Sequence, residues 1–328
     1  MLSELQILVF ILFLFSCTKQ SFPTYSKVEA FEDLHQSISK YSASIDAKNI
    51  NWDSLGNVYN SLISEDLSES EYFEIIGQLL REFKDPHVVL ISPNQSMFTI
   101  EFLDYKKNYN DSLINNKYLT DIKSYNSVIK SGFINDSIGY LACKDFQGDI
   151  YNNNQIYISA LEKLKDTKGL IIDLRFNDGG SVYNAQNLLN KFTSGQILWH
   201  TTENRTLNGF DEPYAWFLFK DPNVHYDSKV ILLTGRYTIS AGERFAMGAK
   251  ALSNITIVGD TTSNTQGSVM GREMLNGWEY RVTFEKCLSA DGNNYAGLGI
   301  PPDIYIRAEE AIVSNQDLIM EKALELLR

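Results

Sequence analysis

The segment Val230-Ile-Leu-Leu-Thr-Gly-Arg-Tyr-Thr-Ile-Ser240-Ala-Gly-Glu243 decides the fold. Val230 to Thr234 is a short apolar run of the kind that fills a strand buried on both faces. A turn follows, and residues from Ala241 to about Leu252 read as a helix. Ile255 to Val258 is the next buried strand. The same alternation appears upstream. Ile138 to Ala142 reads as a strand and 151–166 as an amphipathic helix. Gly169 to Leu174 reads as a second buried strand. The helix after it carries Val182, Ala185, Leu188, Leu189 and Phe192 on one face. Strands alternating with helices predict parallel βαβ units and hence an α/β core.

Outside that core the pattern changes. Residues 27–85 read as helical, most clearly from Ser68 to Phe83. Ser68 and Glu71 form a capping box. Tyr72, Ile76, Leu79, Leu80 and Phe83 then share one face at helical spacing. Lys84-Asp85-Pro86 ends the helix, because the residue before a proline disfavours the helical region. His87 follows at once and leads into Val88-Val-Leu-Ile91, which places it on a helix-to-strand turn. Residues 92–136 are polar, hold a few possible strands and carry no strong pattern. Asn276-Gly277 is a hairpin turn between two strand-like runs. The expected architecture is a helical N-terminal subdomain over 27–91 and an α/β core over 92–328, with a C-terminal β-hairpin.

Composition narrows the function classes. The chain has 328 residues, 44% hydrophobic and 12% aromatic, so it can bury a substantial core. Its net charge of −12 argues against a nucleic-acid surface, which needs a basic patch. Its four histidines show no paired metal-ligand spacing, so no zinc site is expected. No metal or organic cofactor is implied. Cys143 and Cys287 could form a disulfide, but sequence cannot place them within bonding distance, and they are expected to be free and buried.

Leu5 to Phe15 is apolar and too short to span a bilayer. It fits the central region of a signal peptide, 1–16. It ends in Leu14-Phe-Ser-Cys17, similar to a bacterial lipobox, in which the cysteine thiol carries diacylglycerol. The alternative is an uncleaved hydrophobic anchor. Either reading puts the domain in the cell envelope, outside the cytoplasm. On the first, residues 17–26 form a tether and the lipid on Cys17 is the only link to a membrane.

Three features carry chemistry. Ser240 lies where a buried strand turns into a helix, so its hydroxyl and the next backbone N–H groups face one spot at the sheet's carboxyl edge. A helix N-terminus there favours developing negative charge. This suits acyl transfer, which needs a nucleophile and an oxyanion site. Ser240-Ala-Gly-Glu243 is equally a capping box, so Ser240 could instead be only an N-cap. Gly179-Gly180 ends a strand and opens a helix, where a bare backbone can approach a ligand. Asp173 and Arg175 beside it could pair to orient the turn or be solvated. His87 is the one histidine on a sharp turn beside a buried run; His35, His200 and His225 have weaker contexts.

Taken in order, these segments resemble the S41 family of serine peptidases. Gly169-Leu-Ile-Ile-Asp-Leu-Arg-Phe-Asn-Asp-Gly-Gly180 is similar to that family's strand and glycine turn. Thr238-Ile-Ser-Ala-Gly-Glu243 is similar to its nucleophile segment, and Ile257-Val-Gly-Asp-Thr-Thr262 to the strand and loop that follow. Gly297-Leu-Gly-Ile-Pro-Pro-Asp303 is similar to its closing segment. Asp85-Pro-His87 is similar to the turn of relatives that use a histidine. The match covers about 68–306.

The resemblance implies a ClpP/crotonase-like core and a serine-type peptidase acting on peptides or unfolded protein. Ser240 would be the nucleophile and His87 the base. The N–H of Ala241 and that of Gly179 or Gly180 would form the oxyanion hole. The tail-specific processing branch uses a lysine base instead. Here Gln266, in Thr262-Ser-Asn-Thr-Gln-Gly267, occupies the lysine's place and cannot accept a proton. Lys250 lies inside the following helix and would project elsewhere. Residues 92–136 are too short for the PDZ domain that processing peptidases often insert. Histidine-using relatives often carry a glutamate where this chain has Ala296. Asp85 or Glu243 would then have to support His87, and Gln266 is a further possible supporting residue. The alternatives are a ligand-binding protein on the same fold, or an esterase.

Overall fold

A computed structural model describes residues 25–313 and 315–328. The expected signal peptide, the lipid-carrying Cys17 and most of the tether lie outside the described residues.

The helices that matter for the site are α1 (Lys27–Tyr41), α2 (Ser44–Ala47), α3 (Trp52–Asn60), α4 (Glu69–Arg81), α5 (Ile150–Leu164), α6 (Val182–Leu189), α7 (Ala241–Ala249) and α8 (Leu318–Leu327). The strands are β1 (Val89–Ile91), β2 (Ser96–Phe98), β3 (Thr120–Ser124), β4 (Ile129–Ile134), β5 (Ile138–Cys143), β6 (Gly169–Asp173), β7 (Ile197–Thr206), β8 (Tyr214–Leu218), β9 (Lys229–Thr234), β10 (Ile255–Gly259), β11 (Val269–Glu273), β12 (Glu279–Thr283), β13 (Glu285–Ser289) and β14 (Ile304–Tyr305).

The largest sheet runs β14-β10-β9-β6-β5-β4-β3. It is parallel from β14 to β5, and β4 and β3 join antiparallel. Its central strands are buried on both faces, which is why they read as unbroken apolar runs. Leu170, Ile172, Val230, Leu232 and Ile257 face a core shared with α5, α6 and α7. Ile171, Ile231, Leu233 and Val258 face a second core closed by α8.

Helices α6 and α7 pack closely because Gly248 has no side chain. A Cβ there would fall 2.3 Å from Leu189 Cδ2 and 2.5 Å from Trp199 Nε1. Gly248→Ala is therefore expected to lower stability by about 1–3 kcal/mol, the usual cost of overpacking, read as a lower urea midpoint.

A separate antiparallel sheet, β11-β12-β1-β2, joins the segment after the N-terminal helices to the late hairpin. The late hairpin turns at Gly277, whose φ of +80° a glycine adopts without strain. Its strand β12 pairs with β1, Val89 opposite Arg281. Met274, Trp278, Tyr280 and Val282 of the hairpin share a core with Phe31, Leu34, Tyr72, Ile76 and Leu80. The helical N-terminal layer and the hairpin thus form one body beside the α/β core.

Candidate active site

Adjacent parallel strands bring the serine and the glycines together. Leu170 sits opposite Val230 and Asp173 opposite Leu233, so the loops after β6 and β9 leave the same sheet edge side by side. Phe176–Asn177 then pairs in parallel with Tyr237–Thr238, zipping the loops further. Buried Arg175 braces the first loop by bonding Asp173, Asp317 and the Asn108 carbonyl. Of the two sequence readings of Asp173 and Arg175, pairing is the one observed.

Gly179 and Ser240 touch across this seam. A Cβ on Gly179 would fall 2.7 Å from Ser240 Cβ and 2.9 Å from the Ile239 carbonyl oxygen. Gly180 abuts Phe146 and Gln147 just as tightly, and both glycines have positive φ, +82° and +126°. The Gly179 N–H donates to Asn177 Oδ1 at 3.0 Å. The Gly180 and Ala241 N–H groups take part in none of the hydrogen bonds found among the described residues.

Ser240 starts α7 with φ 55° and ψ −114°, a conformation that costs a non-glycine residue about 1–3 kcal/mol. Its side chain makes no capping hydrogen bond. The capping box read from Ser240 and Glu243 is therefore not formed. Glu243 turns the other way, fully buried, and accepts from Thr262 Oγ1, Ser263 Oγ, the Asn264 and Thr265 N–H groups and Gln266 Nε2. Burial pushes its carboxyl up to about 7, against the pull of those donors. The loop it holds returns a bond to the serine, whose N–H donates to the Thr265 carbonyl at 3.1 Å.

His87 reaches the same place from the N-terminal layer. Ser240, His87, Gly180, Ala241, Gly267 and Val269 line one cleft of about 240 Å³. No hydrogen bond joins His87 to Ser240 in this structure. Burial lowers the imidazole's pKa, and the Lys48 and Arg244 charges add to this against the pull of Asp85. The ring is thus neutral near pH 7 and able to accept a proton.

Gln266 is buried against Glu243 and the Tyr295 carbonyl, and its side chain is committed to the loop. Lys250 pairs with Asp303 at 3.1 Å. Neither supplies a base to Ser240. Ala296 lines a larger cavity of about 580 Å³ beyond the 262–266 loop, alongside Lys48 and Asn264, and that cavity contains neither Ser240 nor His87. Cys143 and Cys287 are free and buried.

Asp85 was legible in sequence as part of a turn and as one candidate to support His87. In the fold it is a buried hub. It accepts from the His87 N–H, Ser44 Oγ, Thr265 Oγ1 and Thr283 Oγ1, and lies 3.4 Å from Lys48 Nζ. Lys48, Thr265 and Thr283 carry no local sequence signal; segments far apart in the chain bring them together.

The family model for Peptidase family S41 matches residues 137–306, a span that holds Gly179, Gly180 and Ser240 and begins after His87. The chain is similar to the Tricorn protease of Thermoplasma volcanium, 28% identical over 203 residues that are 59% of this chain and 18% of that one. It is also similar to the carboxy-terminal processing protease CtpB of Bacillus subtilis, 28% identical over 171 residues, 52% of this chain and 34% of that one. The chain thus spans about a third or less of the length of these curated relatives. Among solved structures, a candidate peptidase from Parabacteroides merdae superposes with a TM-score of 0.82 at 28% identity, covering 93% of this chain and 97% of that one. Mature CPAF complexed with lactacystin shares the fold at a TM-score of 0.70 and 11% identity, covering 92% and 96%.

Proposed function

The chain belongs to peptidase family S41, and from that premise we propose that it is an exported serine peptidase cleaving peptides or unfolded protein through an acyl-enzyme on Ser240. The observation that carries this reading is the cleft itself. A serine hydroxyl free of hydrogen bonds, held in a strained turn, lies beside two unengaged N–H groups in a cleft that His87 also lines.

In this mechanism Ser240 Oγ attacks the scissile carbonyl carbon and passes its proton to His87. The carbonyl oxygen becomes an oxyanion held by the Gly180 and Ala241 N–H groups. Gly180 is the better-supported glycine donor, because the Gly179 N–H is spent on Asn177. The intermediate collapses, the C–N bond breaks, and the leaving amine takes the proton from His87. A water molecule, deprotonated by His87, then cleaves the acyl ester and restores Ser240. Export rests on the sequence of residues 1–17, with lipid on Cys17 as the tether to a membrane. Extraction of labelled fatty acid with the protein, abolished by Cys17→Ser, tests that part.

The catalytic reading is tested by treating the purified protein with a fluorophosphonate probe. Labelling that disappears in Ser240→Ala and falls by about 10²-fold or more in His87→Ala is the expected result. Ala296, standing where relatives carry a glutamate, favours the ligand-binding alternative. A folded protein that takes no label would support that alternative and overturn the enzyme.

A further inference from the structure

His87 needs something to hold its ring, and neither carboxylate singled out in the sequence does so directly. Glu243 is fully engaged by the 262–266 loop. Asp85 bonds the His87 backbone N–H at 2.9 Å, but its nearest oxygen is 3.8 Å from Nδ1, beyond hydrogen-bond reach. The atom that does approach the ring is Thr283 Oγ1, 3.4 Å from Nδ1 and 3.0 Å from Asp85 Oδ2.

Donor counting then decides where the proton sits. Lys48 Nζ lies 3.4 Å from Asp85 Oδ2 and is fixed by the Phe83 carbonyl and Asn264 Oδ1. Burial disfavours a charged Asp85, but the Lys48 charge, the hydroxyl of Thr265 and the His87 backbone N–H hold its carboxyl well below the usual carboxylate range. An ionised carboxylate only accepts, so Thr283 must give it the one hydrogen its hydroxyl owns. With that hydrogen spent, Thr283 Oγ1 can meet the imidazole only as an acceptor. Nδ1 must therefore carry the ring's proton, and Nε2 is left bare.

We propose that Thr283 is the positioning residue of this site, fixing His87 in the tautomer with its proton on Nδ1 by relaying the charge of Asp85. The threonine is itself well anchored: its carbonyl accepts from the Ala43 N–H at 2.9 Å, and β12 carries its backbone. Four separate segments, 42–48, 85–87, 265 and 283, converge to hold one ring orientation. The proposal rests on His87 being the base only for its effect on rate; the tautomer is a property of the resting protein.

The test reads both separately. Long-range ¹H–¹⁵N spectra of the imidazoles above their pKa, with His87 assigned by its loss in His87→Ala, should show Nδ1 protonated and Nε2 unprotonated. In Thr283→Val, which keeps the shape and removes the hydroxyl, His87 should move toward the Nε2–H form. Its kcat should fall by about 10²-fold with little change in KM, within the range that general acid–base catalysis supplies. Thr283→Ser should restore both. A parent spectrum showing Nε2–H overturns the proposal without any variant, and so does a folded Thr283→Val that keeps the Nδ1–H signature. If the tautomer follows Thr283 but the protein takes no fluorophosphonate, the positioning stands and the catalytic reading falls.

Discussion

Ser240→Ala is expected to unfold at the same urea concentration as the parent, within about 0.5 kcal/mol, while hydrolysis falls by at least about 10⁴-fold. The two halves of this result have different causes. Ser240 Oγ makes no capping bond, so alanine forfeits no contact in the fold. It does remove the one hydroxyl of this turn that lines the cleft. Ser240→Gly should instead raise stability. The backbone at 240 has φ 55° and ψ −114°, which glycine adopts without the penalty a side chain incurs. Glycine should therefore leave the protein about 1 kcal/mol more stable and equally inactive, the signature of strain kept for function. An N-cap predicts the reverse: serine to alanine at a true cap costs about 0.5–2 kcal/mol. A clear loss of stability in Ser240→Ala would return the residue to a structural role.

How far this site could be read from the chain depends on how local its causes are. The strand-turn-helix at 230–249 was legible because a strand buried on both faces must be apolar throughout, and a helix must follow to cover it. The glycine pair was legible as a pair, but not which N–H was free, since that depends on Asn177 Oδ1 folding back. The Ser240–Glu243 capping box was a sound local reading that lost to tertiary contacts, because five donors from residues 262–266 outbid one cap. The same spacing at Ser68 and Glu71 did form a box, at an exposed helix start where nothing competes. Strands in the polar 92–136 stretch were obscure for a related reason. Thr120–Ser124 is an exposed edge strand with no buried face to impose alternation. Ile129–Ile134 is buried yet interrupted by Lys130, Ser131 and Gly132, with Lys130 paired to Asp111. Lys48 and Thr283 were invisible because their meaning lies only in meeting Asp85.

Glu243→Ala is expected to be the most destabilising single change near the site. It would leave five donors without their acceptor, four of them buried and two of them backbone N–H groups that cannot turn away. A loss of about 3–5 kcal/mol follows, of the size seen when one partner of a buried polar network is removed. Fluorophosphonate labelling should fall with it, since Thr265 holds both the Ser240 N–H and Asp85 Oδ1. Glu243→Gln separates charge from shape. Burial raises the folded carboxyl from 4.5 to about 7, so the folded state keeps a proton that the unfolded chain has already released. The stability this contributes is full below about pH 4.5 and is lost as pH rises through about 7, amounting to about 3 kcal/mol. Glutamine does not titrate, and every other group is common to both proteins. The parent's stability relative to Glu243→Gln, from urea unfolding at pH 5 and pH 8, should therefore shrink as pH rises. A parent that instead gains on the glutamine variant toward pH 8 would mean the five donors outweigh burial. Glu243 would then be a permanently charged anchor, and the loop that steadies Ser240 would be indifferent to pH across the neutral range.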